Sequence, residues 1–293
     1  MLDQLERFGL FGPGSVAWRI HAHPSGWIGA IRALLLQALE PRAMAGVVQF
    51  SRFGEDAWAR FQSTSEFVMT VTYRPRQEAE NAIARVRKIH DPIVGTDRYT
   101  EKPFSANDPY LLAYIHNCLV DSLSAAYLNF GGPLSRKEHD RYVQEMAVLA
   151  DLIGADLSNI PLTSLELSGW LEAQPGLLIT EDAKAAAETI RHMNLPKYFH
   201  PAWSVAWNAS LSIMPAYAFN LYGFERDGIS TFFYKQLACV GAQALATVLP
   251  SHPYFREAKF AYYDFYSTTT SANRRHCLAG LLKDLSSVAD WMR

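Results

Sequence analysis

Arg60 and Thr64 stand four residues apart in the stretch Trp58-Ala-Arg60-Phe61-Gln62-Ser63-Thr64. A helix through them places a guanidinium and a hydroxyl on one face, a turn apart. His90 closes a second helical pattern, directly before the breaker Asp91-Pro92. Two packed helices could gather this cation, hydroxyl and imidazole into a site. The same residues also fit a charged surface beside one satisfied core histidine, and spacing alone leaves both readings open.

The elements that must position these groups are helical. Ala79, Ala82, Ile83, Val86 and Ile89 form an apolar stripe over 76–90, with Arg85, Arg87 and Lys88 outside it and His90 at its edge. Gly29 to Leu39 is apolar nearly all round and reads as a buried helix. Pro41 suits the first position of the next helix, with Glu40 just outside it. Asp108-Pro109 is an N-cap and proline in the right order, opening a helix that carries His116 within an apolar face. Such a lone histidine is usually a satisfied core residue. Ser135 to Glu138 and Thr163 to Glu166 read as capping boxes, and Gly154 ends the first of their helices. Residues 96–106 are polar and turn-rich, a loop placed to lie over a pocket. His21 and His23 alternate and lack a third ligand nearby, so they read as surface or interface histidines. Further apolar helical regions are expected at 181–193, 202–222, 230–249, 254–266 and 275–292.

Several of these pieces, taken in order, resemble one family: Leu34-Leu35-Leu36-Gln37 with Pro41 and Ala45-Gly46-Val47; Arg60 to Thr64; His90 to Gly95; Asp108-Pro109 with Tyr114-Ile115-His116; and Tyr142 to Glu145. The family includes the latex-clearing protein, a rubber oxygenase, and the fungal MpaB oxygenase. The likeness covers roughly residues 15 to 165 well and the remainder loosely. It implies an all-α fold, a single globular multi-helix domain over 1–293 with a globin-like core around a haem pocket. It also implies non-covalent haem b and cleavage of carbon–carbon double bonds by dioxygen. In that context the β-branched run 68–73, which strand propensity would claim, is kept helical.

By the same resemblance His90 is the proximal axial ligand to iron, with a neutral imidazole, and Arg60 and Thr64 lie on the distal face. His116 is the second candidate to touch the cofactor. An exchangeable lysine ligand of the rubber oxygenase would fall at Ser63, which cannot serve, leaving the resting iron five-coordinate or water-bound. Other departures are Glu40, where many relatives carry a histidine before proline, and Gln49, where a histidine often precedes serine. Phe219 stands where an arginine is expected a turn after Met214-Pro215. Glu40 suits a proton relay or, more simply, a helix-terminus carboxylate favoured by the macrodipole.

Composition narrows the classes. The 293 residues are 49% hydrophobic, enough for a sizeable core, and the formal charge of -2 gives no electrostatic case for nucleic acid or an anionic membrane. Three cysteines, Cys118, Cys239 and Cys277, are far apart and odd in number, which argues for a reducing compartment. The N-terminal stretch lacks a signal-peptide order and no apolar run approaches the ~20 residues of a membrane span. The expectation is a soluble, cytoplasmic protein.

Other chemistries fail on spacing. There is no Cys-x-x-Cys-His, no Glu-x-x-His, no His-Glu-x-x-His, no P-loop or dinucleotide fingerprint, and no Gly-x-Ser-x-Gly elbow. Cys277 as a thiolate ligand is disfavoured by its basic flank, Arg274-Arg275-His276. Non-covalent haem needs only an axial residue, an apolar helical pocket and a few polar groups. The function implied is a haem b-dependent oxygenase acting with dioxygen on a small, apolar, unsaturated substrate. Haem-dependent hydroxylation or rearrangement of a secondary metabolite is one alternative. A non-enzymatic haem-binding or haem-free helical protein is the other, favoured slightly by Glu40 and Gln49.

Overall fold

The computed structural model describes residues 8–269 except 52, 55, 226, 227 and 249–251. The expected helix at 275–292 and Cys277 lie outside the described residues. The protein is all-α, as expected. Its helices are α1 (Val16–His21), α2 (Gly26–Gln37), α3 (Pro41–Phe50), α4 (Ala57–Tyr73), α5 (Arg76–His90), α6 (Pro109–Ala126), α7 (Arg136–Ile153), α8 (Ser164–Glu172), α9 (Glu181–Arg191), α10 (His200–Ser212), α11 (Ala216–Tyr222), α12 (Gly228–Val248) and α13 (Pro253–Thr269).

Helix ends follow local chemistry. The Glu40 carboxylate caps α3 by accepting from the Arg42 N–H, with Pro41 at the first position. Asp56 and Asp108 cap α4 and α6 in the same way. Both capping boxes are formed, at Ser135–Glu138 and Thr163–Glu166, and Gly154 ends α7 in the left-handed region. The β-branched run 68–73 is helical, the last turn and a half of α4, because Val68, Val71 and Tyr73 bury themselves in the bundle.

The central packing is α2 against α6. A Cβ on Gly29 would meet the Ser122 carbonyl oxygen at 2.8 Å, so the two backbones approach as closely as glycine allows. Gln37 Nε2 donates to the Ile115 carbonyl at 3.0 Å and the Tyr114 hydroxyl to the Leu36 carbonyl at 2.6 Å, tying the same pair. Arg32 and Asp121 form an ion pair across it at 2.7 Å.

Three expectations need correction. His21 is a core residue, not a surface one: its Nδ1 lies 2.8 Å from Thr72 Oγ1 and its Nε2 3.0 Å from the Tyr142 hydroxyl. The Thr72 proton goes to the Val68 carbonyl, so Nδ1 donates to Thr72 and Nε2 accepts from Tyr142. Alternating with His23 did not matter, because α1 is short and three helices close around one side of it. Second, 96–106 is not wholly a loop. Val94–Thr96 (β1) and Pro103–Ser105 (β2) pair antiparallel, with Gly95 opposite Phe104. The Asp97 carboxylate holds the turn by accepting from the Thr100 N–H and hydroxyl, and Glu101 takes a positive φ of 57°. Third, the apolar region 202–222 is two helices, α10 and α11, because Met214-Pro215 interrupts it.

Candidate functional site

A cavity of about 480 Å³ lies among α3, the start of α4, the end of α5, the β1–β2 hairpin, α6 and α9. That size falls within the roughly 300–1,000 Å³ common for ligand pockets. Its wall is mostly apolar: Leu34, Met44, Val47, Phe50, Phe53, Ile93, Phe104, Leu111, Ile115 and Ile190 all contribute. Helix α3 runs along it, presenting Arg42, Gly46, Val47 and Phe50 at helical spacing. Hairpin formation is what brings Phe104 and Ser105 onto the wall. A second concavity, an open groove of about 430 Å³ lined by Glu172, Gln174, Tyr217 and Asn220 among others, shares no residue with the first.

Arg60 and His90 meet on the wall of the larger cavity. Arg60 Nη1 donates to Ser51 Oγ at 2.9 Å, and among the described residues no carboxylate pairs with its charge. Much of the Arg60 surface is open, yet burial lowers its pKa. Part of the Arg60 surface forms cavity wall. The guanidinium nevertheless stays charged at any ordinary pH. Burial, and then the charge of Arg60, push the His90 imidazole below its ordinary value, against weaker opposing effects of Asn107, Ala106 and Asp91. His90 is therefore neutral at pH 7, with a lone pair free to bind a metal.

Two buried polar atoms at this end, His90 Nδ1 and Asn107 Oδ1, have no well-aligned hydrogen-bond partner among the described residues, although Asn107 and Ala106 lie close enough to His90 to act on its proton. Asn107 spends its amide hydrogens elsewhere, on the Arg87 carbonyl at 3.0 Å and Asp91 Oδ1 at 2.8 Å, which fixes it against the end of α5. Poorly paired polar atoms are unusual in a folded interior, and here one belongs to the potential ligand residue and the other to its neighbour Asn107.

The remaining candidates fall elsewhere. Thr64 is exposed, its hydroxyl donating to the Arg60 carbonyl at 3.0 Å, and it does not line the cavity. Ser63 is likewise exposed and bonds the Ala59 carbonyl. His116 is buried on α6 one residue beyond the wall residue Ile115, and burial lowers its pKa to about 4. Glu40 is buried as a helix cap in an ion pair with Arg42 at 2.9 Å. Gln49 Nε2 donates to the Thr96 carbonyl at 3.2 Å, joining α3 to the hairpin. Phe219 is packed in the core.

Sequence reasoning missed Arg42, Ser51 and Asn107. The four-residue spacing of Arg42 and Gly46, continued by Phe50, was the available signal for a cavity-facing stripe on α3. Nothing local marks Asn107, whose role depends on the hairpin folding it back onto α5.

Residues 18–242, more than three quarters of the chain, match the model of the family described as ER-bound oxygenase mpaB/B'/Rubber oxygenase, catalytic domain. No curated protein and no solved structure gives a significant match. Among the described residues no helix is long and apolar enough to cross a membrane. Arg60, His90 and the cavity they share all lie within the matched span, and the chain belongs to the mpaB/rubber oxygenase catalytic-domain family, a family of oxygenases.

Proposed function

We propose that the protein is a haem b-dependent oxygenase acting on a small apolar, unsaturated substrate with dioxygen. The observation that carries this reading is the meeting of His90 and Arg60 on a mostly apolar cavity of about 480 Å³. The residues present fit a haem. The wall offers apolar contact for a macrocycle, and His90 is neutral and carries an unsatisfied Nδ1.

Haem b, when bound, supplies the one-electron and dioxygen chemistry that no side chain here provides. His90 would hold the iron through one ring nitrogen. Asn107 Oδ1 is the acceptor available to orient the other, the usual outer-shell arrangement for a metal-binding histidine. Arg60 would supply N–H donors towards oxygen bound in the cavity. Ser51 keeps that guanidinium from swinging away. The apolar part of the wall offers contact for an apolar substrate. The reading rests on Arg60 and His90; Thr64 and His116 carry no part of it.

The test is reconstitution with haem and a pyridine haemochrome assay. One haem per chain with a Soret band is expected for the wild type and for His116→Ala, and loss of the band for His90→Ala. A wild-type chain that takes up no haem, or a His90→Ala variant that keeps it unchanged, refutes the assignment. Product analysis under dioxygen then separates double-bond cleavage from hydroxylation.

A further inference from the structure

The cavity carries a second cation, which the His90–Arg60 end does not use. Arg42 occupies the second position of α3, lines the same wall and is largely buried, with its side chain 22% exposed. Its Nε donates to Glu40 Oε1 at 2.9 Å, and its guanidinium lies over the Tyr110 ring with Cζ 5.1 Å from the centroid. These two contacts fix the plane of the group. Among the described residues no acceptor takes the terminal N–H groups on Nη1 and Nη2.

The two arginines reach the cavity from the two ends of α3. Arg42 is at the start of α3, whereas Arg60 is fastened to Ser51, just past its end. Nine residues of helix at 1.5 Å each put about 13 Å between those positions. The face between them is apolar: Gly46, Val47 and Phe50.

We propose that Arg42 is the anchor for a carboxylate on the cavity's ligand, whose apolar body lies along α3 with its reactive centre towards His90 and Arg60. This rests on the reading of the cavity as the site of oxygenation. A planar guanidinium with two free terminal nitrogens matches a carboxylate in a two-point contact. Glu40 beside it offsets part of the charge, so a singly charged acid suits the position better than a phosphate dianion. Two sources share this chemistry: a haem propionate, or the carboxylate of an apolar acid bound as substrate.

The experiment uses the full chain and its Arg42→Gln and Arg42→Lys variants, with circular dichroism melts to establish that each is folded. Three probes are titrated: haemin, haemin dimethyl ester, and oleate as an apolar unsaturated acid. Loss of about tenfold or more in haemin affinity in Arg42→Gln, with ester affinity unchanged and partial recovery in Arg42→Lys, assigns Arg42 to a propionate. The same loss confined to oleate assigns it to a substrate carboxylate. A chain that takes up no haemin but holds oleate through Arg42 refutes the haem reading and supports this one. Binding of haemin and oleate that is indifferent to Arg42→Gln, or absent for both, overturns the proposal.

Discussion

Arg60 Nη1 lies 2.9 Å from Ser51 Oγ, which fastens the one cavity cation without a carboxylate partner among the described residues to the carbonyl end of α3. That end of a helix favours positive charge, so hydroxyl and dipole together hold the guanidinium where it is. Its charge reaches His90, where it acts with burial to lower the imidazole pKa. Replacing Arg60 with Gln removes that repulsion. The His90 pKa in the ligand-free protein, followed by the imidazole resonances in NMR, is expected to rise in Arg60→Gln and to stay put in Thr64→Val. A His90 titration indifferent to Arg60 would show that the two groups are not neighbours in solution.

The Arg32–Asp121 pair sets the geometry of the α2–α6 core on which the cavity is built. Arg32 is buried; it also donates to Ser122 Oγ at 2.7 Å and the Ile213 carbonyl at 3.0 Å, while Asp121 keeps some contact with solvent. Removing one partner strands the other charge, which costs about 3–5 kcal/mol when the pair is fully buried. Water reaching Asp121 places Asp121→Ala towards the lower end of that range. Urea unfolding is the measurement, and a loss under about 1 kcal/mol would mean that Arg32 finds other acceptors. The double variant Arg32→Met, Asp121→Leu is expected to recover much of the stability, since it leaves no charge behind.

What could be read from residues alone divides along a physical line. Helix starts and stops were legible because they depend on a few neighbours: Asp108-Pro109, the two capping boxes and the left-handed Gly154 all form as their local chemistry dictates. Arg60 and His90 were legible as candidates through their place in ordered motifs. Whether a side chain lines a cavity is set by packing, and there local reading failed in both directions. Thr64 shares a helical face with Arg60 but turns its hydroxyl to its own backbone, while Arg42 lines the wall unnoticed. His21 differs from its expected surface place for the same reason: its partners are Thr72 and Tyr142, 51 and 121 residues away. The hairpin was hidden because strands of three residues carry almost no periodic signal.

Buried histidines make the fold sensitive to acid. Burial lowers the pKa of His21 to about 3 and that of His116 to about 4. In the unfolded chain both return to about 6.5, so above that pH neither state binds the proton and stability is unaffected. Below it the unfolded state is protonated while the folded one is not, and stability falls as pH falls towards the folded values. The slope is at most about 1.4 kcal/mol per pH unit for each histidine. Urea unfolding at pH 7, 6 and 5 is expected to steepen downward, and His116→Leu to flatten the dependence by up to that amount. An unchanged slope in His116→Leu would mean that this imidazole is protonated inside the fold.

Gly95 ties hairpin stability to cavity shape. It pairs with Phe104 across the two strands, and a Cβ placed on it would lie 2.9 Å from Gln49 Oε1 and 3.0 Å from the edge of the Phe104 ring. The glutamine is the end of a flexible chain and can give way at the loss of its bond to the Thr96 carbonyl. Phe104 has less freedom, being buried with Ala45 and Leu111, and its ring forms part of the cavity wall. Gly95→Ala is therefore expected to cost about 1–3 kcal/mol, as overpacking does, and to narrow the cavity as the ring moves. Thermal unfolding measures the first effect and haemin titration the second. Gln49→Ala in the same chain relieves only the glutamine contact, so it should return part of the stability and none of the affinity. Full recovery of both would place the strain on Gln49 alone and leave Phe104 out of it.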